Sequence, residues 1–106
     1  MHKLLVLYPP PLSGEAFRTH YETRHLPLVA RLPGLLSSWH SFHVHSVTGP
    51  APYFCIWEGT FESALALQQA MESEIGAEVA ADTANYATGG VVLLHMPAQF
   101  AGTRHD

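Results

Sequence analysis

The order of short segments bounded by proline and glycine constrains the fold of this chain more than any other feature. Four segments favour strands, because each is short and rich in apolar, aromatic or β-branched residues: residues 3–8, 35–47, 53–61 and 91–96. Three consecutive prolines, starting at Pro9, end the first of them. The four segments together predict one sheet.

Two helical regions separate these strands. Residues 14–32 follow Ser13, a good N-cap, and carry apolar residues at three- and four-residue steps. Pro27 lacks a backbone donor, so we expect a break or kink at that point. The second region spans residues 62–84, and a further cap at Ser73 divides it into two segments.

The resulting order, β-α-β-β-α-β, is that of a ferredoxin-like α+β fold. Right-handed crossovers place both helical regions on one face of a four-stranded antiparallel sheet. A chain of 106 residues forms a single domain. Residues 97–106 follow the last strand, and we expect them to be loose or to contact a partner.

Three of the four strands are apolar on both faces, although a sheet with helices on one side needs only one apolar face. The residues concerned are Leu4 to Leu7 in the first strand, Tyr53 to Trp57 in the third and Val91 to Leu94 in the last. Burying about eight such side chains contributes on the order of 10 kcal/mol, at roughly 1.5–3 kcal/mol each. The pattern therefore predicts a homodimer in which two sheets pack face to face. The alternative is that some strands are displaced by one or two residues.

Composition argues against several classes of function. Five basic and nine acidic residues give a net charge of −4 with no cluster of Lys or Arg, so nucleic-acid binding is not expected. No apolar segment has the length of a membrane span or of a signal-peptide core. Cys55 is the only cysteine, so no intrachain disulfide can form, and we expect a cytoplasmic protein.

The segment Tyr21 to Val29 (YETRHLPLV), followed by Leu32-Pro33-Gly34-Leu35, resembles the signature of the EthD family, named for a protein associated with ethyl tert-butyl ether degradation. The opening strand with Tyr8-Pro9-Pro10 and residues 81–90 are similar to that family as well, and only residues 37–52 match it weakly. The resemblance implies a dimeric α/β barrel with a cleft between each sheet and its helices. Neighbouring barrel families include cofactor-free monooxygenases, muconolactone isomerases and polyketide cyclases.

His25 is the leading candidate for catalysis. It lies four residues after Tyr21, so the two side chains share one helical face. Beside the break at Pro27, one imidazole nitrogen could bond a free backbone carbonyl and leave the other as a base. The alternative is that His25 only satisfies such carbonyls. The resemblance brings Asp82 to the same cleft, where it would orient His25; otherwise Asp82 faces water.

Five further residues are candidates for ligand binding. Asn85 and Tyr86 would line the same cleft, although Asn85 could simply terminate the helix. Trp39, Trp57 and Phe42 could shape a pocket for an aromatic or polycyclic ligand, or they could belong to the core or to an interface.

The histidines of the second strand raise the question of a metal site. His43 and His45 would project from one face of a strand, and His40 or His95 could add a ligand. No carboxylate or cysteine lies near them in sequence, so we expect no metal. The chain has no G-x-G-x-x-G, P-loop or nucleophile-elbow motif, so we expect no cofactor.

These features predict a cofactor-free enzyme, such as an oxidoreductase, isomerase or cyclase, acting on a small hydrophobic metabolite that is oxygenated or aromatic, in degradation or secondary metabolism. His25 would be its general acid or base, supported by Tyr21 and Asp82. The alternative is a non-catalytic ligand-binding or accessory protein for a partner oxygenase. A third hypothesis is a haem- or metal-dependent barrel protein that uses the additional histidines.

Overall fold

The computed structural model describes residues 1–103 and confirms the predicted order of strands and helices. The strands are β1 (His2–Tyr8), β2 (Ser37–Phe42), β3 (Cys55–Phe61) and β4 (Val92–Pro97). The α-helices are α1 (Gly14–His20), α2 (Leu26–Val29), α3 (Ala64–Glu72) and α4 (Glu74–Asp82). A π-helical turn (Tyr21–His25) joins α1 to α2, and a 3-10 turn (Thr83–Asn85) follows α4.

The four strands form one antiparallel sheet in the order β2-β3-β1-β4. Val6, at the centre of β1, pairs with Trp57 on one side and with Leu93 on the other. The ferredoxin-like α+β arrangement predicted from the sequence is therefore confirmed. Strand register places alternate residues on the helix side, where a largely aromatic core forms. Its fully buried members include Tyr8, Phe17, Tyr21, Cys55 and Phe61.

The first helical region is interrupted just before Pro27, by a π-helical turn and not by a loop. Ser13 caps α1 as predicted, its Oγ accepting the Ala16 N–H at 3.1 Å. The π-helical turn precedes the proline, with the Leu26 N–H bonded to the Tyr21 carbonyl. The wider turn accommodates Pro27, whose ring clashes with the carbonyl four residues back in a regular α-helix. A short helix, α2, then continues to Val29.

The second helical region agrees with the prediction. Ser63 caps α3, and Ser73 both ends α3 and caps α4, its Oγ accepting the Gly76 N–H at 3.0 Å. A Cβ on Gly76 would lie 2.2 Å from the Ala70 carbonyl oxygen, so only glycine allows this close approach of the two helices.

The predicted boundaries of β2 are wrong. The strand covers residues 37–42 rather than 35–47, because His43 adopts a left-handed conformation (φ 56°) that ends the ladder. His43 and His45 therefore do not project together from a strand. The strand β3 begins at Cys55 rather than at residue 53, and β4 extends to Pro97 rather than ending at residue 96.

The sheet face opposite the helices carries apolar side chains from all four strands. Their register places Leu5, Ile56, Val92, Leu94 and Trp39 on this face, which we call the open face. Trp39 is 62% exposed and Leu94 is 46% exposed. The structure thus contains the strands with two apolar faces that the sequence predicts. The alternative, in which some strands are displaced by one or two residues, is not needed to explain the pattern.

Beyond β4, residues 98–103 have no regular secondary structure, although the Ala98 N–H bonds the Met1 carbonyl at 3.0 Å. The rest of the predicted tail, residues 104–106, lies outside the described residues. No helix in residues 1–103 combines the length and apolar character that crossing a membrane requires.

Candidate functional site

A cavity of about 190 Å³ lies between the sheet and the helices. Strands β1, β3 and β4 form its floor, and the π-helical turn, α2 and α4 contribute to its walls. Most of the lining side chains are aliphatic, among them Leu4, Val6, Val29 and Val79. A few polar groups are set among them: Tyr8, Tyr21, His25, Trp57 and Thr83.

His25 lies in the cavity wall and forms a hydrogen bond with Asp82. Its Nδ1 is 2.9 Å from Asp82 Oδ2, and only 3% of its side chain is exposed. Asp82 is the last residue of α4, so the contact joins the end of that helix to the π-helical turn. The predicted pairing of these two residues is therefore present in the geometry. Among residues 1–103 the imidazole does not bond a backbone carbonyl, although both the catalytic and the structural interpretation expected such a bond, and Asp82 holds Nδ1 instead.

Two more donors reach the Asp82 carboxylate. His20 Nε2 lies 3.0 Å from Oδ1 and 3.1 Å from Oδ2, and Asn85 Nδ2 donates to Oδ1 at 2.9 Å. Burial disfavours the charged form of Asp82, but the hydrogen bonds from Asn85, His25 and His20 outweigh it and lower the carboxyl pKa. Asp82 is therefore ionised at neutral pH.

The π-helical turn explains why two histidines share one carboxylate. His20 and His25 are five residues apart, which separates them by about 140° around a regular α-helix. In a π-helical turn the hydrogen bond spans five residues, so residues with that spacing come to the same side. The turn thus directs both imidazoles towards Asp82.

The protonation state of His25 follows from its surroundings. Burial lowers the pKa of His25, and the hydrogen bond that His25 donates to Asp82, which raises the pKa, compensates only in part. The imidazole is therefore neutral at pH 7. Because the ionised carboxylate can only accept, Nδ1 carries the proton and Nε2 keeps a lone pair. Within the part of the chain that the structure describes, Nε2 has no hydrogen-bond partner, which is the arrangement of a general base.

Two tyrosines pack against the His25 ring. Tyr21 stacks on it with ring centroids 5.4 Å apart and an interplanar angle of 20°, and the Tyr86 ring lies 4.7 Å away. The predicted proximity of Tyr21 and His25 is thus present. The two tyrosine rings also contact each other, with centroids 5.5 Å apart, and the Tyr86 hydroxyl bonds the Tyr8 hydroxyl at 2.7 Å. These contacts hold the imidazole in its orientation.

The tyrosine hydroxyls remain protonated. Burial raises the pKa of Tyr8 to about 12, and it also raises the pKa values of Tyr21 and Tyr86. The Tyr21 hydroxyl is buried, and no residue from 1 to 103 bonds it; Tyr8 and Cys55 are near but outside hydrogen-bond geometry. Burial likewise raises the pKa of Cys55 to about 12, so this thiol is not a nucleophile.

The structure brings most, but not all, of the predicted site residues together. His25, Tyr21, Asp82, Asn85 and Tyr86 form one contiguous group. Phe42 packs against Tyr21 with ring centroids 5.9 Å apart, behind the cavity wall rather than in it.

Trp39 does not belong to this cavity. Side chains alternate along β2, so Trp39, three residues from Phe42, projects from the open face. Trp39 and Phe42 therefore cannot line one pocket, because residues three apart on a strand project from opposite faces of the sheet. Trp57, from the neighbouring strand, supplies the indole that lines the cavity.

The histidines of the β2–β3 connection lie apart from this group. His43 Nε2 is 3.5 Å from Arg18 Nη1, on the protein surface. Among residues 1–103, no three His, Cys, Asp or Glu side chains converge in a way that could hold a metal ion.

Sequence reasoning missed two residues of the site. Helical periodicity could not reveal His20, because His20 and His25 are five residues apart and so lie on different sides of a regular α-helix. Tyr8 ends the first strand, and nothing local indicates that its hydroxyl meets that of Tyr86 across the core.

Comparisons with known proteins agree with the predicted family and fold. The family model described as the EthD domain matches residues 9–90. An uncharacterized 11.0 kDa protein from the thcB–thcC intergenic region of Rhodococcus erythropolis is 34% identical over 95 residues, which are 89% of this chain and 91% of that protein. The crystal structure of an EthD family protein from Bacillus halodurans is 29% identical, with a TM-score of 0.86 over 93% of this chain and 99% of that one.

More distant structures share the fold alone. SnoaB, a cofactor-independent oxygenase from Streptomyces nogalater, is 13% identical with a TM-score of 0.67 over 94% of each chain. A dimeric ferredoxin-like protein of unknown function from Jannaschia is 17% identical with a TM-score of 0.65 over 92% of this chain and 97% of that one.

Proposed function

The chain belongs to the EthD family, and we propose that it is a cofactor-free enzyme acting on a small hydrophobic metabolite that is oxygenated or aromatic. One observation carries the proposal. A buried, neutral imidazole in the wall of an apolar cavity is held by a carboxylate through Nδ1, and its Nε2 has no partner among the described residues.

The reaction begins with transfer of a proton from the substrate to His25 Nε2. The proton comes from an O–H group, or from a C–H group next to a carbonyl, and leaves its electron pair on the substrate as an enolate or phenolate. The Asp82 carboxylate, 2.9 Å from Nδ1, stabilises the imidazolium that forms. Tyr21 and Tyr86 keep the ring oriented. Isomerisation and cyclisation can proceed from such an anion, and oxidation can follow when molecular oxygen is the co-substrate that accepts its electrons.

The fold of SnoaB supports this proposal, because a cofactor-independent oxygenase has the same architecture. The rival proposal is a non-catalytic ligand-binding or accessory protein for a partner oxygenase. It is favoured by the mostly aliphatic cavity wall, since retention of a ligand needs apolar contact and no base.

We further propose that the protein acts as a homodimer in the cytoplasm. The open face presents apolar side chains from four strands, and a second copy of the same face would cover them. Related folds include dimeric ferredoxin-like proteins. Cys55, the only cysteine, is an unpaired thiol, which fits a reducing compartment.

The test is a turnover screen of small oxygenated aromatic and alicyclic compounds with chelator-treated protein, followed by His25→Gln. Removal of the base should lower kcat/KM by about 10²–10⁴-fold while the circular dichroism spectrum is unchanged. His45→Gln, in the exposed β2–β3 connection, is the matched control and should retain full activity. Equal turnover by His25→Gln would contradict the proposal. Tight ligand binding without turnover of any compound would favour the accessory protein.

A further inference from the structure

We infer that the cavity takes a neutral ligand the size of a single six-membered ring with one hydroxyl group, and that Gly59 and Trp57 set this size limit. The inference rests on the proposed function for the location of the site. It concerns binding, however, and so can be tested without turnover.

The volume of the cavity sets the size of the ligand. An apolar cavity of about 150 Å³ accommodates benzene, and the cavity here measures about 190 Å³. One ring with one or two small substituents fits this space, whereas two fused rings exceed it. Leu93, which lines the cavity from the edge strand β4, is 56% exposed, so the side near β4 is where the ligand enters.

The charge of the lining selects a neutral ligand. None of the lining side chains, in the part of the chain that the structure describes, is Lys, Arg, Asp or Glu. An anionic ligand would lose its hydration without gaining a cation, and the ionised Asp82 behind His25 would repel it. A neutral ligand hydroxyl, by contrast, can donate to the lone pair of His25 Nε2, which has no partner among residues 1–103.

Gly59 permits the position of the indole that forms part of the floor. Gly59 and Trp57 are two residues apart on β3, so both face the helices. A Cβ at position 59 would lie 2.2 Å from Cη2 of the Trp57 indole, and 2.8 Å and 2.9 Å from the two neighbouring ring carbons. The indole therefore lies directly over the glycine. Any larger residue would force it up into the cavity, so Gly59 keeps the cavity open and Trp57 limits its extent.

Isothermal titration calorimetry with three probes tests this inference: p-cresol, benzoate and 1-naphthol. We expect p-cresol to bind one per chain, and the other two to bind at least tenfold more weakly at pH 7.5. Gly59→Ala should weaken p-cresol binding at least tenfold. Trp57→Phe should shift the preference towards 1-naphthol by at least tenfold. Trp39→Phe, on the open face, is the matched control and should leave all three affinities unchanged.

The outcomes separate this inference from the proposed function. Failure of all three probes to bind, or equal binding of benzoate or 1-naphthol by the wild type, would overturn the ligand class. An unchanged p-cresol affinity in Gly59→Ala, or an unchanged preference in Trp57→Phe, would overturn the role of that pair. Binding of p-cresol with no turnover of any compound would leave the inference in place and remove the enzymatic proposal. Turnover confined to anionic or two-ring compounds would leave the enzymatic proposal in place and remove the inference about the ligand.

Discussion

Replacing Asp82 with asparagine tests the central contact of the site, because two physical effects predict opposite changes in the free energy of unfolding. Asp82 is the last residue of α4, where a negative charge opposes the helix dipole at a cost of about 0.3–1 kcal/mol. If its carboxylate had no other role, Asp82→Asn would stabilise the protein. The hydrogen bonds from His25, His20 and Asn85 predict destabilisation instead.

The magnitude follows from those three bonds. A hydrogen bond to a charged group contributes about 1.5–3 kcal/mol, against about 1 kcal/mol for a neutral one. Asparagine keeps the shape of the side chain but removes the negative charge that strengthens these hydrogen bonds. The side chains of His20 and Asp82 are 26% and 16% exposed, so water screens the charge and the loss of stability is smaller. We expect the free energy of unfolding to fall by about 2 kcal/mol. For a chain of this size that lowers Tm by about 8–16 °C.

Thermal and urea unfolding followed by circular dichroism measure this effect. Glu78→Gln is the matched control, because it removes the same charge from an exposed position on the same helix and should change stability by less than about 0.5 kcal/mol. On the proposed mechanism, Asp82→Asn should also lower kcat/KM, since Nδ1 of His25 loses its anionic partner. A Tm equal to or above that of the wild type would refute the claim that Asp82 is held in place by these donors.

Three further predictions concern pH, assembly and metal content. Stability should fall as pH drops below about 6.5, because the pKa of His25 is lower in the folded chain and only the unfolded chain binds a proton at His25 in that range. Urea titrations at pH 8 and pH 5 should show this loss of stability, and the loss should be smaller in His25→Gln. Light scattering after size exclusion should give twice the 11.6 kDa chain mass, and Leu94→Glu on the open face should shift it to one chain mass; a wild-type monomer would contradict the homodimer. Elemental analysis of untagged protein should find no stoichiometric zinc, copper or iron, and one such metal per chain would contradict the predicted absence of a metal cofactor.

The fold could be predicted from the sequence because its signals are local. Prolines and glycines mark the ends of the strands, and the serine caps at Ser13 and Ser73 define helix starts through a bond that spans three residues. The boundaries of β2 could not be predicted in the same way. Residues 43–47 alternate much as a strand does, and the positive φ of His43 ends the ladder, a conformation that non-glycine residues adopt uncommonly.

The site could be predicted only in part, because its geometry depends on one irregular turn. His25 and Tyr21 are four residues apart and share a face on any helix, so their proximity is a local property. Asp82 lies 57 positions away in the chain and could be assigned only through the family resemblance. His20 was beyond both kinds of inference, since its position beside Asp82 requires the hydrogen bond from Leu26 to Tyr21. That turn lies directly before Pro27, where the sequence predicts a break or kink. Because the proline ring does not fit a regular α-helix, Pro27 favours the wider turn that brings both histidines to one carboxylate.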